Sequence, residues 1–88
     1  MPFLIEINKL QIRLEDIKES VSNNKILPYF AKDDVEKLLE TEKKLKSIFE
    51  EIKLEKPYIK KISYVIKQTE QYLQDLEDII EIERNKSL

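Results

Sequence analysis

An 88-residue chain has room for one domain around one core, and a 39% charged fraction leaves much of its surface to Lys and Glu. It carries a formal net charge of −2 and has no Cys, no His and no Gly. Disulfides and thiolate sites, imidazole bases and ligands, and the glycine-dependent phosphate loops and nucleophile elbows are therefore excluded in their usual forms.

The opening stretch, "MPFLIEINKL", is apolar but interrupted by Glu6 and Lys9, and it lacks the basic start and small-residue cleavage site of a secretory leader. No run approaches the ~18 apolar residues of a membrane span. These features predict a cytoplasmic protein with no membrane partner.

The first helix is predicted over about residues 2–22. Phe3, Ile7, Leu10, Leu14, Ile17 and Val21 repeat with alternating spacings of four and three, the seam of a helix packed along a bundle or coiled coil. Pro2 suits a first turn, where its missing N–H would have no partner anyway. Ser22, Asn23 and Asn24 supply the stop, with Asn in the left-handed position that Gly usually fills.

Residues 23–32 read as a connector, yet they include Ile26, Leu27, Tyr29 and Phe30. The second helix is expected at about 33–55, opened by a capping box of Asp33 and Glu36 and carrying Val35, Leu38, Leu39, Leu45, Ile48, Phe49 and Ile52. Its apolar stripe is weakest at Thr41 and Glu42. Pro57 stops it and starts a third helix over about 57–84. Two overlapping seams run along that helix, one through Tyr58, Ile62, Val65, Thr69, Tyr72, Leu76 and Ile79, the other through Ile59, Ile62, Ile66, Thr69, Leu73, Leu76, Ile80 and Glu83. A stripe this wide faces two neighbours. The expected fold is all-α: one domain over 1–88, an antiparallel up-down-up three-helix bundle with a long C-terminal helix. Because the third helix is longer than the first, its surplus turns, with Ile79, Ile80 and Ile82, lie at the same end as the apolar connector. The connector either folds over them or leaves an open apolar patch.

Charge is sorted along the chain. Residues 33–42 carry net −4, residues 43–67 net +5 and residues 68–88 net −4. The acids at the start of the second helix and the lysines at its end suit the helix dipole, whereas the third helix reverses that order. Pairing across antiparallel helices is the simplest offset.

The pattern predicts no catalytic residue, no metal site and no cofactor. Carboxylate pairs such as Glu77 with Glu81 and Asp75 with Asp78 occur at helical spacing, but bundle metal sites partner such carboxylates with His. The expected function is a non-enzymatic protein–protein interaction module (an inhibitor, adaptor or assembly subunit), with self-association allowed. Its partner-binding residues are Ile26, Leu27, Tyr29, Phe30, Ile79, Ile80 and Ile82. The alternative is a nucleic-acid-associated subunit using Lys60, Lys61, Tyr64 and Lys67, where lysines surround an aromatic able to stack on a base. Against the alternative stand the acidic balance and the presence of only two arginines, Arg13 and Arg84.

Overall fold

The computed structural model describes residues 2–86. Three helices follow one another: α1 (Pro2–Ser22), α2 (Pro28–Glu51) and α3 (Lys56–Lys86). They pack as an antiparallel three-helix bundle in which α3 lies more extensively on α2 than on α1. The molecule measures 51 × 20 × 16 Å. At 1.5 Å per residue α3 alone spans about 46 Å, so it sets the long axis.

α1 ends in a paired-hydrogen-bond cap. Asn24 takes the left-handed conformation at φ 58°, Lys25 N–H donates to Ser20 C=O at 2.8 Å, and Asn24 N–H donates to Val21 C=O at 3.1 Å. This is the stop expected from the asparagines. α2 ends the same way with a less suitable residue. Lys53 has φ 55°, Leu54 N–H donates to Phe49 C=O at 2.9 Å, and Lys53 N–H donates to Glu50 C=O at 3.2 Å. Leu54 then packs against the main core cluster, which also contains Phe49. Burial of Leu54 offsets the cost of a left-handed lysine, of order 1 kcal/mol. The helix therefore stops at Glu51 instead of running to about 55, and Pro57 sits in the first turn of α3.

The start of α2 differs most from expectation. The helix begins at Pro28, so the connector is residues 23–27 and not 23–32, and the Asp33–Glu36 capping box is not used. Leu27 is the N-cap in an extended conformation, with Pro28 in the first turn. Phe30 and Ala31 both donate backbone N–H groups to the Leu27 carbonyl at 3.0 Å. Proline bars a helix from passing through it but favours one that begins at it. The pull comes from Ala31, which is fully buried one turn before Val35 and continues the core stripe backwards.

The core has two clusters. The larger joins Ile7, Leu10 and Leu14 of α1 to Leu38 and Phe49 of α2 and to Ile62, Val65 and Ile66 of α3. Phe3 closes its end, with edge-on contacts to Phe49 at 5.4 Å and Tyr58 at 6.0 Å. The smaller cluster joins Ala31, Val35 and Leu76, with Ile17, Val21, Ile26, Tyr72 and Leu73 against it.

Thr69 Oγ1 donates to Glu42 Oε2 at 3.0 Å, which fixes the register of α2 on α3. Counting one for one along the antiparallel pair sets Val35 beside Leu76, which share a cluster, and Pro28 beside Glu83. The surplus length of α3 thus runs beside the early turns of α2. Lys18 lies over the Tyr72 ring at 5.4 Å, so α1 ends near the level of Leu76 and the last turns of α3 extend beyond it.

Charge complementarity to the helix dipoles also differs from expectation. With its observed limits, α2 has no acid in its first turn and no base in its last, while α3 gains Arg84 and Lys86 in its last turn. The sorted charges lie inside the helices. Between helices, Lys43 of α2 and Glu70 of α3 form an exposed ion pair at 3.9 Å, a geometry that contributes little.

Candidate functional site

The residues expected to bind a partner meet at one pole, where α2 begins and α3 ends. They do not behave alike. Ile26 is half-buried and packs on the smaller cluster, so the connector reaches the core through this side chain. Leu27, Tyr29 and Phe30 are 64%, 70% and 59% exposed. The helical start at Pro28 explains their exposure. Ala31 takes the inward position of this turn and turns its neighbours away from the core. Tyr29 and Phe30 instead contact each other edge-on at 5.9 Å and line a shallow hollow of about 220 Å³ with Lys32, Asp33 and Glu36. On α3, Ile80 is half-buried, while Ile79 and Ile82 are exposed. Ile26 therefore covers the smaller cluster of Ala31, Val35 and Leu76, which includes none of Ile79, Ile80 and Ile82, and the expected cap over the surplus turns of α3 does not form as such.

The rim of this pole is mixed in charge, with acids in excess. A groove of about 530 Å³ between α2 and α3 is lined by Lys32, Asp33, Glu36, Lys37, Leu39, Glu40, Lys43, Leu73 and Glu77. Asp78 and Glu81 follow on α3, both exposed.

The alternative basic face is only partly assembled. Lys60, Tyr64 and Lys67 line a groove of about 440 Å³ together with Ser63, Ile66, Glu70 and Lys46 of α2. Lys61 does not line it; one residue on from Lys60, it is rotated by 100° about the helix and is half-buried. Lys46 was missed in the sequence because its proximity depends on the α2–α3 register. Gln68 Nε2 donates to Tyr64 Oη at 2.9 Å, which holds the phenol along the helix. Glu70 at the edge of the groove weakens its attraction for phosphates.

The sequence reading also missed a polar pair inside the bundle. Glu42 and Thr69 are fully buried. Spacings of four and three through Ala31, Val35, Leu38, Glu42, Leu45 and Phe49 place the carboxyl on the core side of α2. Burial pushes its pKa up from 4.5 to about 7, against the Thr69 hydrogen bond and the Arg13 charge, which lower it, and with Glu70, which raises it. Thr69 Oγ1 is 3.0 Å from both Glu42 Oε2 and the Val65 carbonyl but has one proton to give. When Glu42 is protonated it can donate to Thr69, freeing the threonine proton for Val65, so both bonds form. Among the described residues Glu42 Oε1 has no hydrogen-bond partner, a smaller penalty for a neutral acid than for a buried anion.

Among the described residues no group of three or more His, Cys, Asp or Glu is placed to hold a metal ion, and no helix is long and apolar enough to cross a membrane. No protein-family model, curated protein or solved structure matches the chain.

Proposed function

We infer that the protein is a non-enzymatic interaction module, an inhibitor, adaptor or assembly subunit, that docks a partner protein through the pole formed by Ile26, Leu27, Tyr29, Phe30, Ile79, Ile80 and Ile82. The supporting observation is the exposure of Leu27, Tyr29 and Phe30 together at the N-cap and first turn of α2, where a purely structural cap would be covered. A preformed helical start presents these side chains at low ordering cost. The excess of acids on the rim, from Asp33 and Glu36 to Asp78 and Glu81, specifies the partner's chemistry: an apolar patch bordered by Lys or Arg. Docking would act by occlusion or by ordering that patch. The proposed setting is the cytoplasm.

The test compares the wild type with the Leu27→Ser, Phe30→Ser double variant as baits in an extract of the native cell. The expected result is loss of a specific captured protein and higher solubility, with Tm kept within about 4 °C, the scale of surface substitutions. A large fall in Tm would identify the pair as a structural cap, and unchanged capture would place the docking surface elsewhere.

A further inference from the structure

We propose that the outward face of α3 is a second interaction surface, and that its occupant is another copy of this chain, lying antiparallel along the same helix. Lys60, Tyr64, Lys67, Gln71, Asp75, Asp78 and Ile82 are spaced 4, 3, 4, 4, 3 and 4 residues apart, forming one continuous stripe opposite the core-facing residues. All seven are exposed, with Tyr64 at 57% and Ile82 at 54%.

The stripe is self-complementary about Gln71. A two-fold axis there sets Lys67 opposite the second copy's Asp75, Tyr64 opposite its Asp78, and Lys60 opposite its Ile82 with Glu81 alongside. Every such contact then occurs twice, as an isologous interface requires. Basic residues of one copy meet acidic residues of the other along the whole length. A parallel pair would oppose lysine to lysine and aspartate to aspartate. Tyr64 lies within one helical turn of the second copy's Ile82, so the two large exposed apolar groups of the stripe cover each other.

The hydrogen bonds already present are compatible with this. Gln71 Nε2 donates to one Asp75 oxygen at 3.1 Å and Gln74 Nε2 to one Asp78 oxygen at 3.1 Å, leaving each carboxylate a further oxygen to accept from Lys67 or Tyr64. Within the bundle, the interhelical Lys43–Glu70 pair engages α3 on a different side from the stripe. The stripe shares Ile82 and Asp78 with the edge of the apolar pole but does not include Leu27, Tyr29 or Phe30, so the two surfaces can be tested apart.

Seven residues a side is well below the roughly 20–30 of a standard interface, so the dimer is weak, with Kd on the order of tens of micromolar. Sedimentation equilibrium of the full chain, from about 10 to about 500 µM, tests it. The expected mass rises to two copies and stops there, and association falls with added salt. Lys60→Glu with Lys67→Glu weakens it at least about tenfold, as does Asp75→Lys with Asp78→Lys, whereas an equimolar mixture of the two variants restores dimers. Circular dichroism confirms that both variants fold. Leu27→Ser with Phe30→Ser leaves the dimer intact, which separates this surface from the docking pole. Orientation is read with single-cysteine variants, since the chain has no cysteine of its own. Under oxidation, Lys67→Cys mixed with Asp75→Cys gives mainly the mixed disulfide if the copies are antiparallel. A monomer throughout, a mass that keeps growing, mainly same-variant disulfides, or retention on DNA or RNA that the lysine reversals abolish in place of dimer loss would each overturn the proposal.

Discussion

Between Lys56 and Leu76, α3 places Ile62, Val65, Ile66, Thr69 and Leu76 out of solvent; from Glu77 to Lys86 it buries none fully, although Ile79, Ile80 and Ile82 lie there. The two stretches have the same helical backbone, and both carry large apolar residues, nine of 21 in the first and three of ten in the second. What differs is the neighbourhood. The first half lies in a groove between α1 and α2, while the second extends past the end of α1 and keeps only the opening turns of α2 beside it. A hydrophobic residue becomes core when a second element covers it, and α1 is too short to cover the tail. The proposed docking pole is the portion of the stripe left by that shortfall.

The largest expected effect marks the boundary between the halves. Leu76→Ala removes the last fully buried side chain of α3 and leaves a cavity against Ala31 and Val35; chemical denaturation should show a loss of about 3–5 kcal/mol. Next is the buried carboxyl in the held half. The folded-state pKa of Glu42 lies above its unfolded value, so its stabilising contribution is complete below pH 4.5 and is lost as pH rises through about 7. The loss is on the order of 3 kcal/mol. Denaturation curves at pH 4.5 and pH 8 should show this difference in the wild type and lack it in Glu42→Gln. A wild type no less stable at pH 8 than its Gln variant, relative to pH 4.5, would mean that Glu42 is not buried as described. The smallest effect lies in the projecting stretch, where Ile82→Ser should change stability by no more than about 0.5 kcal/mol because more than half of the residue is exposed.

The same contrast explains what could be read from the residues alone. The α1 seam from Phe3 to Val21 was fully legible, since each of its members is buried or half-buried and the spacing allows one orientation. The start of α2 was not. Pro28 can begin a helix or interrupt one, the Asp33–Glu36 pair is a plausible cap, and only burial of Ala31 against Leu76 decides between them. Glu42 left a trace, a charged residue where the alternating spacings require an apolar one. Its burial could not be assigned without knowing that Thr69 lies opposite. The pole was legible as an apolar connector near a long helix, but the division between Ile26 inside and Leu27, Tyr29 and Phe30 outside depends on the first turn of α2. The basic groove was half legible: Lys60, Tyr64 and Lys67 share a stripe, while replacing Lys61 by Lys46 needed the register between helices.

The connectors have a kinetic consequence. α1 and α2 are joined by residues 23–27 and α2 and α3 by residues 52–55. Closing such short spans forfeits little chain freedom, and most native neighbours lie close along the backbone. The bundle should therefore assemble in microseconds to milliseconds, with the α2–α3 hairpin as its natural first product and α1 settling onto it. Each unfolded episode of an unliganded chain that reforms this fast is brief, which limits the window for aggregation from that state even while its apolar end stays uncovered.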